Sequence, residues 1–270
     1  MHTWHWRTWQ GLPYLTCSWL EAWSHGFFTQ QFAPRPPTQL VEVLHPQALV
    51  YRVKQVHGNR VLSTAEIEPL EQPVQELSEQ ESPSLQQADG LFSQRSQQSV
   101  WVCSADCTPV LIGDQQTGQV AAIHAGWRGT AAQIVPAAIA RLQAEGSQLK
   151  HLRIALGPAI AGQVYQVSTD VAAKVGATVV DPTKPDWYDH PEALLSELER
   201  LPGSPILSDP QPGHARLDVR QVNRLQLEQL GIRPEQIAIS DHCTYQQPEY
   251  FFSYRRSNQK QIQWSGIVSN

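Results

Sequence analysis

Three short segments of the chain combine metal-binding or nucleophilic residue types with glycines that let a backbone turn sharply. The first is Ser104-Ala105-Asp106-Cys107-Thr108-Pro109 and the second Ile123-His124-Ala125-Gly126-Trp127-Arg128-Gly129-Thr130. They place a cysteine and a histidine 17 residues apart, each at the edge of an apolar run. The third, Gln55-Val56-His57-Gly58-Asn59, adds a second histidine. Zinc prefers thiolate sulfur and imidazole nitrogen, and a catalytic zinc keeps three protein ligands with one position open. His57, Cys107 and His124 match that count. Asp89 and Asp106 are short carboxylates nearby in sequence, suited to orienting a ligand histidine from behind. The spacing has no CxxC or HExxH pattern, so plainer readings stay open: a small buried thiol with two hydrogen-bonded turn histidines, or a nucleophilic pair in which a histidine activates Cys107.

Other residues are candidates for binding rather than for the metal. Arg52, Arg128 and Arg255, with Lys54 and Arg256, are candidate anion binders, because a guanidinium fork suits phosphate oxygens. Arg128 is the best placed, two residues ahead of a helix expected from Thr130 with free N–H groups at its start. The ordinary alternative for each arginine is a surface ion pair. Asn59, Asp89, Asp106 and Cys243 complete the candidate substrate contacts, Cys243 as a site-wall residue in Asp241-His242-Cys243-Thr244-Tyr245. Cys17 and Cys103 read as core. His25, beside Gly26, is the one other histidine in a suggestive setting; His2, His5, His45, His151, His190 and His214 read as surface residues.

The elements that must position these groups follow from periodicity. Trp4 to Leu20 alternates around Gly11-Leu12-Pro13, which predicts a β-hairpin, with a further strand or turn over Ser24–Thr29. Five of the nine tryptophans precede residue 24, as expected of side chains covering a sheet. Ala33–Thr38 reads as a Pro-rich loop. Strands are expected at Leu49–Val56, Val100–Ser104, Pro109–Gly113, Gln119–His124, Leu152–Leu156, Ile237–Ser240 and Tyr250–Tyr254. Helices are expected at Thr130–Ala144 (with Pro136 kinking it or in its first turn), at Thr169–Val175 capped by Ser168, near Glu192–Arg200, and from Val219 to Leu230. Hairpins among interleaved strands and helices predict an α+β (α/β sandwich) fold with mixed sheets rather than a doubly wound parallel one.

Composition bounds the rest. A 270-residue chain with 41% hydrophobic residues can bury a sizeable core, and a net charge of −5 argues against a nucleic-acid binder. No apolar run reaches a membrane span of about 18 residues. No basic stretch precedes an apolar one near residue 1, so the four cysteines are expected as free thiols in a cytoplasmic protein. Ser63–Gln87 carries six glutamates and no lysine or arginine. It holds −6 and leaves the rest near neutral, so a flexible acidic insertion at 63–87 is expected within a single domain spanning 1–270.

Taken together, Tyr51-Arg52-Val53-Lys54-Gln55-Val56-His57-Gly58, Ala88-Asp89-Gly90-Leu91, the Cys107 and His124 segments, Gly157-Pro158-Ala159-Ile160 and Phe252-Ser253-Tyr254-Arg255-Arg256 resemble, in that order, the laccase-domain (YfiH-type) family. That family is also labelled multicopper polyphenol oxidase and purine nucleoside phosphorylase. The resemblance covers nearly the whole chain. It implies a fold similar to the catalytic domain of the cytotoxic necrotizing factor toxins and a metal site at His57, Cys107 and His124. It also implies Zn2+ (Cu2+ as the alternative), phosphorolysis of adenosine, inosine, guanosine and methylthioadenosine, and adenosine deamination. The expected partners are purine nucleosides and phosphate, not nucleic acid or membrane, in a monomer or weak homodimer. Three positions depart from the family pattern: Gln30 replaces an arginine, Gly162-Gln163-Val164 stands where cysteines are common, and Gln259–Gly266 lacks a Gly-Arg pair. The rival functions are a copper-dependent polyphenol oxidase, disfavoured by the lack of His-X-His pairs, and a non-catalytic binding protein acting through the acidic segment.

Overall fold

A computed structural model describes residues 3–70, 85–180 and 191–270. The N-terminal alternation becomes the hairpin β1 (Trp4–Trp9) and β2 (Leu12–Cys17), with Trp9 opposite Leu12. Its turn is Gln10-Gly11, one residue earlier than expected. Both residues have positive φ, 49° and 80°, the backbone that matches strand twist in a two-residue hairpin. β3 (His25–Phe28) follows as expected. The Pro-rich stretch is a loop only to Pro36. Pro37 starts helix α1 (Pro37–Leu44), at the first helical position where its missing N–H costs nothing. β4 (Leu49–Arg52) stops short of the expected Val56, and the chain beyond it turns through His57.

β5 (Val61–Ser63) and β6 (Gly90–Phe92) flank the acidic segment. Its two ends are built into the fold: Leu70 bridges Val50, Gln87 pairs with Lys54, and Glu66 meets Arg141 at 2.6 Å. The middle, 71–84, lies outside the described residues, and with it the expected flexibility.

β7 (Gln98–Ser104), β8 (Thr108–Asp114) and β9 (Val120–Ala125) form where the β-branched runs predict them. The single helix expected at Thr130–Ala144 is two, α2 (Trp127–Ala131) and α3 (Ile134–Ala144), separated by Gln133 in the left-handed region. Pro136 explains the break. It cannot donate to the carbonyl of Ala132, so it sits in the first turn of a new helix.

Next come β10 (Leu152–Leu156), β11 (Gln166–Ser168) and α4 (Thr169–Gly176), the last capped by the Ser168 hydroxyl accepting the Val171 N–H. α5 (Pro191–Glu199), β12 (Ile206–Ser208) and β13 (His214–Leu217) precede α6 (Val219–Gln229), which Asp218 caps. β14 (Ile237–Ile239) is short. The strand expected at Tyr250–Tyr254 does not form. Ser253 accepts the Arg256 N–H and starts a turn of helix, α7 (Tyr254–Ser257). The last strand, β15 (Gln263–Val268), was not expected, yet it lies inside a sheet.

Two six-stranded mixed sheets, ordered β1-β2-β3-β15-β7-β4 and β14-β10-β8-β9-β6-β5, face each other, and a three-stranded sheet β11-β13-β12 stands apart. Leu15, Phe27, Tyr51, Val102, Leu111, Ala122 and Ile267 fill the space between the large sheets. α1 covers the outer face of the first sheet over Trp101 and Val50. α3 and α6 cover the outer face of the second over Ile112, Ile123 and Ile154. The small sheet packs with α4 and α5 around Leu194, Leu198 and Leu217 as a lobe with its own core. The architecture is the mixed-sheet α/β sandwich that the strand and helix order predicts. The β7–β8 connection, Ala105–Cys107, crosses from one large sheet to the other, and this crossing carries the cysteine.

Candidate metal centre

Each member of the trio is held by a different device. Cys107 sits at the inter-sheet crossing, immediately after Asp106, whose φ is 91°. A non-glycine residue there is strained and persists only where its surroundings over-determine it. The surroundings do so: the Asp106 carboxylate accepts the Thr244 hydroxyl and the Arg255 N–H, both at 2.7 Å, and its carbonyl accepts the Ile160 N–H at 3.0 Å. His124 lies in β9 opposite Pro109 of β8, so the ladder fixes its position beside the crossing. His57 sits in the turn after β4 with φ 61°. Gln55 docks this turn by clasping the backbone of Cys103, accepting its N–H and donating to its carbonyl, each at 2.8 Å.

Asp89 joins these devices. It is fully buried, immediately before β6. One oxygen accepts the His57 N–H at 2.8 Å and meets Nδ1 of His124 at 2.9 Å; the other accepts the N–H groups of Val56 and Gly58 at 3.1 and 2.8 Å. One carboxylate thus shapes the loop of one histidine and orients the ring of the other, as the sequence suggested for Asp89. Burial opposes its charge, but the bonds from His124, Gly58 and Val56 prevail and hold its pKa below the ordinary value. Two glycines complete the packing. A Cβ on Gly126 would come within 2.7 Å of Cys107 Sγ, and one on Gly129 within 2.9 Å of the Gly58 carbonyl.

As a result the ligand atoms of His57, Cys107 and His124 lie within 4.8 Å of one another, and no other group of three such residues occurs among the described residues. The imidazole rings meet edge to face with centroids 4.8 Å apart. His124 is buried, Cys107 half-buried and His57 exposed, so the group opens to solvent on the His57 side. Burial alone would raise the thiol pKa; the two histidines overcome it, His124 foremost, and bring Cys107 down to about 6. Burial likewise disfavours a charged His124, but Cys107 and Asp89 raise it to about 9. Cys107 and His124 thus pull each other toward the thiolate and imidazolium forms. The donor set fits a divalent metal: one thiolate, two imidazoles, and Nδ1 of His124 already committed to a carboxylate, which leaves its Nε2 for the metal.

The remaining candidates are scattered more widely. Arg255 lies close by, its backbone on Asp106 and its guanidinium over the Tyr165 ring. Arg128 is inside the five-residue α2, not ahead of a helix, with its guanidinium 4.3 Å over the Trp127 ring. Arg52 stacks on Trp264. Asn59 is exposed and donates to the Ala132 carbonyl. Cys243 is buried, its sulfur accepting the Ala161 N–H at 3.2 Å. Cys103, read as core, is half-buried, and burial pushes its thiol up to about 11. His25 is a core residue whose ring accepts the Cys17 N–H and bonds the Trp23 carbonyl. Gln30 anchors to the Tyr250 and Pro248 carbonyls. Gln55, Thr244 and Tyr165 escaped the sequence reading. Gln55 could have been found from its place in Gln-Val-His-Gly; the other two carry no local signal.

These features define a mixed α/β sandwich with a candidate His2Cys metal centre where its two sheets meet. Residues 38–268 match the family model described as multi-copper polyphenol oxidoreductase laccase, and the chain belongs to that family. It is 50% identical over 272 residues, covering 98% of this chain and 97% of its relative, to a Synechocystis protein named purine nucleoside phosphorylase slr1573. It is 30% identical to adenosine deaminase RL5, from an unknown prokaryotic organism, over 67% of this chain and 61% of that protein's length. In structure it resembles YlmD of Geobacillus stearothermophilus, with a TM-score of 0.76, 98% of both chains covered and 23% identity. The protein is an enzyme of this family.

Proposed function

We propose that this protein is a zinc-dependent purine nucleoside phosphorylase that also deaminates adenosine. The observation that carries the reading is the convergence of His57, Cys107 and His124 on one point with Asp89 behind them, in a chain half identical to a protein named for that phosphorolysis. The deaminase activity rests on the name of a more distant relative. A zinc ion held by the trio supplies Lewis acidity and a water acidified toward a pKa of about 7.

The chain's own residues supply the rest. Asp89 fixes the ring and tautomer of His124. Asp106 and Gly126 fix the sulfur of Cys107. We read Arg255 and Arg128 as the arginines that hold phosphate, a reading supported by Arg255 lying on Asp106 next to Cys107. In phosphorolysis a phosphate oxygen bonds to the anomeric carbon as the glycosidic C–N bond breaks; the purine leaves with the bonding pair and takes up a proton. Adenosine, inosine, guanosine and methylthioadenosine are the candidate substrates, and a cytoplasmic monomer or weak homodimer is the expected setting. Four free thiols, and the lack of any described helix long and apolar enough to cross a membrane, fit that setting.

Incubating the protein carrying one zinc per chain with inosine and phosphate should yield hypoxanthine and ribose 1-phosphate. No product from such protein would refute the reading. A second reading is favoured by the Asp89–His124–Cys107 chain: the Cys107 thiolate acts as a nucleophile activated by His124. Chelation separates the two, since removing zinc abolishes turnover under the first reading and leaves it intact under the second.

A further inference from the structure

Beside the trio stands a set of polar groups that the trio does not use. Tyr165, just before β11, packs with Trp127 against the core of the small lobe. Its backbone carbonyl accepts the Leu217 N–H at 3.0 Å, and the Arg255 guanidinium lies 4.8 Å over its ring. The Tyr165 hydroxyl has no hydrogen-bond partner among the described residues, although the residue is half-buried. Burial, then the Cys107 thiolate, push its pKa up to about 12 against the pull of Arg255 and Arg128. The phenol is therefore a neutral donor at any working pH, in the field of both guanidinium groups and of Cys107.

Both arginines are set in advance. Arg255 spends one nitrogen on the Gln166 carbonyl at 2.8 Å and its backbone N–H on Asp106, which leaves Nε and Nη2 unengaged. The Arg128 guanidinium, stacked on Trp127, makes no hydrogen bond or ion pair with a described residue. Asp106 and the Cys107 thiolate are the opposing charges here, and both Asp106 oxygens are occupied by Thr244 and Arg255. A small ligand that satisfies two planar cations and one neutral donor is a tetrahedral oxyanion, which accepts hydrogen bonds from several directions at once. Arg52, on Trp264, is not part of this group.

We propose that Tyr165, Arg128 and Arg255 form the subsite that holds inorganic phosphate beside the trio, with the Tyr165 hydroxyl donating to a phosphate oxygen. The proposal rests on the phosphorolysis reading for its role in turnover but not for the binding itself. Tyr165 keeps its proton; the attacking phosphate oxygen forms the bond to the anomeric carbon as the C–N bond breaks, and the departing purine takes up the proton that the esterified phosphate gives up, directly or through solvent.

The test is calorimetric titration of the whole protein, as purified, with inorganic phosphate, paired with steady-state phosphorolysis of inosine. Tyr165→Phe should weaken phosphate binding and raise KM for phosphate about tenfold, the loss expected of one hydrogen bond to a charged group, with Arg128→Gln doing at least as much. KM for inosine should move much less than KM for phosphate, and unfolding midpoints and zinc content should match the wild type. The proposal is overturned if the wild-type protein does not bind phosphate, if both variants bind it as the wild type does, or if Tyr165→Phe moves the two KM values equally. Wild-type protein that binds phosphate but makes no hypoxanthine would refute the phosphorolysis reading and leave the subsite standing.

Discussion

Replacing Asp89 with asparagine changes one atom and tests the whole construction of the centre. The carboxylate accepts four hydrogen bonds, two on each oxygen, from Val56, His57, Gly58 and His124. Asparagine has one acceptor oxygen. Placed toward His57 and His124, it turns its NH2 onto the N–H groups of Val56 and Gly58. Flipped, it abandons His57 and His124. Either way two donors lose their partners; the N–H groups of Val56, His57 and Gly58 are only partly buried and water relieves part of the cost, so Asp89→Asn should lower unfolding stability by about 1–3 kcal/mol. The loop carrying His57 would no longer be held at its positive φ, and His124 would lose the charge that orients its ring. Zinc affinity should fall about 10–100-fold, the range for outer partners of metal-binding histidines. Denaturant unfolding gives the first quantity, and competition with a chromophoric chelator the second. Stability within about 0.5 kcal/mol of wild type, the scatter of ordinary surface changes, together with unchanged zinc affinity, would refute the reasoning.

Gly126→Ala leaves the backbone at an ordinary φ of −75° but puts a methyl 2.7 Å from Cys107 Sγ. Overpacking of this kind costs about 1–3 kcal/mol, and here it should appear as weaker zinc binding, checked by the same competition assay; full affinity would show that the sulfur has room to move. Zinc uptake between pH 7 and 8 should release about one proton per ion from His124, which at about 9 still carries it while Cys107, at about 6, does not, and up to about one more as the zinc-bound water ionises. Calorimetry in buffers of different ionisation enthalpy measures that release, and zero release would mean that His124 is neutral before zinc arrives. Burial holds His25 neutral by lowering its pKa to about 4. The unfolded chain takes up a proton below the ordinary histidine value of 6.5 that the folded chain refuses, so stability falls with pH from there to about 4. The loss reaches about 3 kcal/mol, and His25→Gln should flatten that part of the pH–stability curve; an unchanged slope would place the effect on another group.

The legible parts of the fold were those where a local pattern and the tertiary structure ask for the same thing. The β-branched runs of β7, β8 and β9, the Ser168 cap and the apolar stripe of α6 all announce themselves. β15 did not. Its six residues, Gln263–Val268, are buried on both faces, but Gln263, Ser265 and Gly266 dilute the apolar signal, because the interior of this sheet tolerates polar side chains that find partners, as Gln263 does with Phe252. Tyr250–Tyr254 failed in the opposite sense. Its aromatic residues look like a strand, but Phe251 packs between the sheets and Ser253 caps a helical turn. At the site, the trio and Asp89 could be read because chemistry restricts the residue types. Tyr165 could not, since its role depends on Arg255, 90 residues away in the chain, coming to rest on its ring.

The family's copper name and the relatives' phosphorylase names ask different things of the same three residues. Two imidazoles and a thiolate also make up a blue-copper electron-transfer site, which adds a weak axial ligand (methionine, glutamine or a backbone oxygen) in a trigonal pocket. Here the exposed His57 leaves the group open. Oxidising phenols with oxygen also needs further metal sites to collect electrons, and the described residues contain no second group of three suitable ligands. Copper binding is therefore compatible with the ligands, and oxidase turnover is the point on which the two names divide. Protein loaded with Cu2+ should absorb in the visible through its thiolate, and its steady oxygen uptake with phenolic substrates should not exceed that of free copper. Uptake well above that background, abolished by Cys107→Ser, would overturn the argument and return the chain to the chemistry of its family's name.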